Sequence, residues 1–65
     1  MQISLRIVWD EEWSEHRVEY YEGSILSESK TYHCPYYDDA HATMLAMCKE
    51  AEEAGHSVNI LPEIL

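Results

Sequence analysis

HRVEYYEGSILSESKTY, residues 16–32, decides the fold. Two runs that suit strands flank Gly23, the residue type that reaches φ > 0 without a steric penalty. The pattern predicts a hairpin of HRVEYYE (16–22) and ILSESKTY (25–32). Alternation turns Val18 and Tyr20 toward a core, and Arg17, Glu19 and Tyr21 toward solvent. Two registers compete. With Glu22-Gly23 as the turn, Arg17 faces Glu28 and Glu15 faces Lys30, both pairs of opposite sign. With Gly23-Ser24 as the turn, Glu19 faces Glu28 and Arg17 faces Lys30, both of like sign. Cross-strand charge favours the first, although a Glu at φ > 0 is itself unfavourable.

Upstream, QISLRIVW (2–9) alternates as a half-buried strand: Ile3, Leu5, Ile7 and Trp9 on one face, Ser4, Arg6 and Val8 on the other. Downstream, HCPYYD (33–38) reads as a loop punctuated by Pro35. In DDAHATMLAMCKEAEEAG (38–55), Ala40, Met44, Met47, Cys48, Ala51 and Ala54 share one arc of a helix, with Leu45 at its flank. Asp38 or Asp39 suits the N-cap and Gly55 the C′ position. HSVNILPEIL (56–65) adds a short strand around Val58 and Ile60, which Pro62 confines to an edge or ends. The order βββαβ predicts a single α+β domain over residues 1–65: a small antiparallel sheet with one helix packed on a face.

Charge is the outlier. Thirteen Asp and Glu stand against four Lys and Arg, a net of −9, and like charges crowded on a small domain repel. That balance disfavours nucleic acid and anionic membranes as partners and favours a basic protein surface. Solubility is the competing explanation. The start of the chain lacks a basic segment followed by a long apolar run, and no stretch of about 18 apolar residues is present to span a membrane. The expectation is therefore a cytoplasmic protein with Cys34 and Cys48 reduced.

Metal and catalytic chemistry find little support. His16, His33, Cys34, His41, Cys48 and His56 include no CxxC or HxxxH pair of the kind that zinc sites use. His33 and Cys34 are neighbours on an extended segment, so their side chains diverge. No glycine-rich phosphate loop occurs, and a chain this short has little room for a pocket that would shift a carboxyl pKa. The expectation is a non-enzyme without metal or cofactor.

Binding fits the pattern better. DEEWSEHRVEYYEG (10–23) interleaves acids with aromatics. An aromatic in an acidic loop is a common interface anchor, although packing of a loop over the sheet edge explains Trp13 and the Tyr36-Tyr37 pair equally well. Glu50, Glu52 and Glu53 end the helix with the sign its dipole disfavours, a placement that stability does not explain. The candidate partner-binding residues are Asp10, Glu11, Glu12, Trp13, Glu15, Glu19, Glu22, Glu28, Glu52 and Glu53. Glu15 and Glu19, at i and i+4 on a strand, are expected to follow an Arg/Lys-lined groove. Arg6, Arg17 and Lys30 are expected to share a sheet face and to offer the partner a specific salt bridge. With one duplex charge per about 1.7 Å, nine charges match roughly 15 Å of DNA, and a compact chain of this length is about 25–30 Å across.

A tiny acidic chain with DEEWSE and HRVEYYEG ahead of one helix resembles the small phage-encoded anti-CRISPR proteins, most closely inhibitors of type I-C systems. The likeness spans the whole chain in length, charge and order of elements. It implies a monomer, acting in the host bacterial cytoplasm, that binds the Cascade surveillance complex through the large Cas8-type subunit. By presenting acidic surface it would block target DNA without itself binding nucleic acid. The alternative from another class is an antitoxin-like or adaptor module that neutralises a basic partner protein.

Overall fold

Ile3, Leu5 and Ile7 are almost wholly buried because β1 (Gln2–Asp10) has neighbours on both sides and a helix above it. The computed structural model describes all 65 residues, Met1–Leu65. Five strands form one mixed sheet: β1, β2 (Glu15–Glu22), β3 (Ile25–Leu26), β4 (Tyr32–Cys34) and β5 (Ser57–Ile60). β1 and β2 make a long antiparallel hairpin, with Ile3 opposite Glu22 and Asp10 opposite Glu15. β3 and β4 share the outer edge of β2, and β5 lies on the far side of β1. α1 (Tyr37–Glu53) packs on one face. The α+β reading with one helix on a small sheet holds.

The turn after β2 is Gly23-Ser24, not Glu22-Gly23: Glu22 pairs with Ile25 and Tyr21 with Leu26. Gly23 takes φ = 65°, where it serves better than Glu22 would. The like-charge pairs this register threatens never form, because the strand stops at Leu26. A 3-10 turn, Glu28–Lys30, lifts both charged residues out of the ladder before β4 resumes it. Three steps along β2, from Tyr21 to Val18, thus correspond to six along its partner, from Leu26 to Tyr32. Part of the expected loop, His33 and Cys34, belongs to β4.

α1 buries Ala40, Met44 and Ala51, with Met47 and Cys48 half-buried against the same core. Alanine at two of the three contact positions lets the helix approach the sheet closely. Leu45 and Ala54, at the margins of the expected arc, are exposed. Tyr36 takes the N-cap position, which puts Asp38 and Asp39 in the first turn, where they complement the dipole. At the other end Gly55 has φ = 89°; its N–H donates to Glu52 O and that of His56 to Ala51 O, both at 3.0 Å. These are the two bonds of a Schellman cap.

The expected antiparallel sheet is corrected at β5, which runs parallel to β1 with Ile3 beside Val58. α1 returns the chain to the end where β1 begins, so β5 starts level with Gln2 and runs alongside it. Pro62 does not end the pairing. Leu61 N–H donates to Leu5 O at 2.9 Å, the chain bulges, and Ile64 N–H donates to Ile7 O at 3.0 Å. The molecule measures 34 × 21 × 21 Å, longer than the size expected from chain length.

The last turn of α1 contains no basic residue. Replacing Glu52 and Glu53 with Lys is expected to raise stability by about 0.3–1 kcal/mol per site. For a domain of this size that means a Tm several degrees higher in calorimetry, and an unchanged or lower Tm contradicts the dipole account.

Candidate protein-binding site

Arg6 and Glu19 face each other across β1 and β2 on the face that no helix covers. Arg6 Nε and Nη2 donate to Glu19 Oε1 at 3.2 and 3.0 Å, and Tyr21 Oη donates to the same oxygen at 2.9 Å. Arg17 Nη2 reaches Glu19 Oε2 at 3.5 Å, while Arg17 Nη1 donates to Asp10 Oδ2. The chain of charge runs Arg6, Glu19, Arg17, Asp10, alternating in sign. Glu19 is consequently only 7% exposed, which corrects its expected solvent-facing role. Burial pushes its carboxyl up, but hydrogen bonds from Tyr21 and Arg6 and the charges of Arg6 and Arg17 outweigh it, and the carboxyl sits below its ordinary value. Glu15 and Glu19, expected at i and i+4 to follow an Arg/Lys-lined groove, therefore do not form an outward row.

Arg6 and Arg17 do share that face, but internal carboxylates hold both. Lys30 lies on the other side of the sheet, 5.0 Å from the Tyr20 ring centre and 3.7 Å from Glu22 Oε2. The expected basic spot of three residues is thus absent.

Beside the network a cleft of about 390 Å³ opens between the β1–β2 turn and the 3-10 turn. Five residues expected at a binding surface line it: Asp10, Trp13, Glu15, Glu19 and Glu28. Glu15 Oε2 pairs with His33 Nδ1 at 2.5 Å, so His33 points outward while Cys34 next to it is buried in the core. Thr31 and Leu26 complete the outer wall. Glu28 carries no ion-pair or hydrogen-bond partner on its side chain, and Trp13 is 71% exposed.

Asp10 builds the turn that presents Trp13. Its Oδ1 accepts the N–H groups of Glu12 at 3.0 Å and Trp13 at 3.3 Å, and Ser14 closes the turn at φ = 49°. Glu11 and Glu12 project from this turn and are exposed. The N-terminus of α1 and the C-terminal tail converge on the same end. Tyr32 Oη donates to Asp39 Oδ2 at 3.0 Å, and Tyr37 Oη to Glu63 Oε2 at 2.5 Å. Trp9, His16, Tyr37 and His41 form a contiguous aromatic ladder there, with ring centres 4.8, 5.6 and 6.0 Å apart. Seven of the thirteen acids gather at this end: Asp10, Glu11, Glu12, Glu15, Asp38, Asp39 and Glu63. Its only Lys or Arg is Arg17, which is already bound. Tyr36 adds a second aromatic side chain, 73% exposed.

The remaining expected residues lie elsewhere. Glu22 is on the helix side of β2, paired with Lys30. Glu52 and Glu53 are exposed at the opposite end, where α1 terminates. The structure therefore unites Asp10, Trp13, Glu15, Glu19 and Glu28 around the cleft and sets Glu11 and Glu12 beside it. It separates Glu22, Glu52 and Glu53 from them. Sequence reasoning missed His33 as a cleft residue and Asp38, Asp39 and Glu63 as members of the acidic end, and expected Arg17 as a free partner contact where Asp10 and Glu19 hold it.

Neither thiol is activated as a nucleophile. Burial pushes the Cys34 thiol up, and desolvation together with the Glu52 carboxylate does the same at Cys48. No three His, Cys, Asp or Glu side chains are grouped to hold a metal ion. No helix is long and apolar enough to cross a membrane.

Because the Glu19 carboxyl lies below its ordinary value of 4.5 in the folded state, its contribution is complete above that pH and is lost as pH falls through the lower folded value. Acid denaturation is expected to have a Glu19-dependent limb below about pH 4.5, which Glu19→Gln flattens. Glu19→Ala leaves two guanidinium groups facing each other without their acceptor, at an expected cost of about 2 kcal/mol at neutral pH. Urea melts of the three proteins across pH check both outcomes.

The chain matches no protein-family model, and neither the curated proteins nor the solved structures contain a match to it.

Proposed function

We propose that this chain is an inhibitor that sets its acidic end and the adjoining cleft against basic side chains of a nucleic-acid-binding complex. One observation supports the reading above all. Seven carboxylates gather at the acidic end against a single Lys or Arg, Arg17, which Asp10 and Glu19 already hold, so the field leaving that end is negative. Such a field speeds encounter with a basic surface, and Trp13 and Tyr36 supply aromatic anchors beside it. The first partner to test is the type I-C Cascade surveillance complex through its Cas8-type subunit, in keeping with the resemblance of the sequence to anti-CRISPR inhibitors of that system.

The imitation of DNA is partial. A duplex as long as the 34 Å axis carries about 20 charges, whereas the chain carries a net of −9. The acids also crowd one end instead of following the long axis. The surface therefore fits a site that reads a short DNA element, and not a long duplex groove. The same crowding, with Trp13 on the wall of the cleft beside it, favours as second reading an acidic module that neutralises a single basic protein.

Target-duplex binding by purified type I-C Cascade is expected to be lost when the protein is added, and less completely as salt rises. Undiminished DNA binding at low salt overturns the reading for that complex. Within it, Glu11→Lys with Glu12→Lys is expected to slow association, Trp13→Ala to weaken binding by about 2 kcal/mol, and Glu50→Lys with Glu53→Lys at the opposite end to leave binding nearly unchanged. Surface plasmon resonance separates the rate effect from the affinity effect.

A further inference from the structure

β5 is an open edge. Its odd residues bond inward to β1: Ser57 N–H donates to Met1 O at 3.2 Å and Leu61 N–H to Leu5 O at 2.9 Å. Alternation then turns the N–H and C=O groups of Val58 and Ile60 away from the sheet, where no strand meets them. Edge strands are normally guarded by charge. Residues 54–62, AGHSVNILP, contain no Asp, Glu, Lys or Arg, in a chain whose net charge is −9.

Exposed apolar side chains are unevenly spread. The aromatic ones, Trp13 and Tyr36 among them, belong to the acidic end. Four of the six large exposed aliphatic side chains lie on β5 or beside it: Ile60 on the strand, Met1 at its start, and Ile64 and Leu65 on the tail that follows; Ile25 is on β3 and Leu45 on α1.

We infer that β5 is the edge through which two copies of this chain pair, antiparallel about a two-fold axis at Asn59. The geometry is self-consistent. With Asn59 opposite its own copy, Val58 faces Ile60 of the second copy, and these are the residues whose backbone groups point outward. Each Val58–Ile60 pair exchanges two N–H···O=C bonds, so the ladder has four. It ends where it should: the next outward position is Pro62, which has no N–H to give. Val58 and Ile60 lie on the helix side and extend the apolar core across the junction, while the two Asn59 amides meet on the other face.

A second copy is the occupant favoured by charge. Two molecules of net −9 repel over most of their surfaces, and the uncharged strip is where they can approach most closely. A four-residue strand covers less than the roughly 800 Å² per partner of a standard interface, so the pair is weak, concentration-dependent and strengthened by salt. The association is independent of the inhibitory reading, because Val58 and Ile60 lie beside Ile3 and Leu5 near the start of β1, whereas the acidic end gathers around its finish at Asp10.

Sedimentation equilibrium of the full chain, over rising concentration and at low and high salt, tests it. The expected result is a shift from the 7.6 kDa chain toward twice that mass, earlier at high salt. Hydrogen exchange at the Val58 and Ile60 amides should slow in parallel. Asn59→Lys puts two like charges opposite each other and is expected to weaken the pair about fivefold, even though it lowers the overall repulsion. Ile60→Pro removes two of the four bonds while sparing those to β1, and should abolish pairing with the circular dichroism unchanged. A single-chain mass at every concentration overturns the inference. So does a dimer that Asn59→Lys leaves intact or strengthens, since lower net charge favours association through any other surface.

Discussion

One helix can cover only one face of a sheet, and the rest of this structure follows from that limit. The covered face takes the apolar residues of β1, β2 and β4, with Ile3, Leu5, Ile7 and Val18 at its centre. The uncovered face must satisfy polar groups without a second layer above them. It does so by placing the Glu19 carboxylate between Arg6 and Arg17 and tying Arg17 on to Asp10. The same ion chain joins the middle of the β1–β2 hairpin to its turn. Asp10 is the link: one carboxylate oxygen holds Arg17 and the other holds the turn that displays Trp13.

The surface divides into parts with different chemistry. The ion chain neutralises itself and leaves no net charge on the central sheet face. The acidic end keeps its charge, since the nearby bases are already engaged. The edge at β5 has no Asp, Glu, Lys or Arg over residues 54–62 and carries exposed Ile60. A chain selected only for solubility would be expected to spread its acids; here the four carboxylates nearest the helix C-terminus and Gly23 turn are outnumbered by the seven at the other end. The crowding of acids and aromatics in residues 10–23 thus resolves into two jobs. Asp10 and Glu19 build the scaffold, and Glu11, Glu12 and Trp13 face outward from it.

Local periodicity made much of this legible in the sequence. Alternation identified the buried side of β1, and Val18 and Tyr20 as core residues of β2. A 3.6-residue repeat identified α1, and Gly55 its cap, because both signals act within a few residues. What depended on distant partners was not legible. Cross-strand charge pairs, worth about 0.2–1 kcal/mol each, pointed to the wrong hairpin register. They lost to the φ > 0 requirement at Gly23, and the 3-10 turn then removed Glu28 and Lys30 from the pairing they were assumed to enter. Alternation placed Glu19 in solvent correctly as to face, but gave no sign that two arginines would close over it. Arg6 was the missing clue, visible only once β1 and β2 were set in register. The parallel direction of β5 likewise follows from where α1 delivers the chain, which no local pattern encodes.

Glu19 is a scaffold ion, held by Arg6 and Arg17, and not an acid offered to a partner. The most direct measurement is the pH titration of the Glu19 side-chain carboxyl carbon by NMR in the isolated protein. The expected midpoint lies clearly below the ordinary 4.5 and is accompanied by shifts in the Arg6 and Arg17 guanidinium resonances. A midpoint at or above 4.5, with the arginine resonances unmoved, would mean that the ion chain does not form and that Glu19 faces solvent with the other acids.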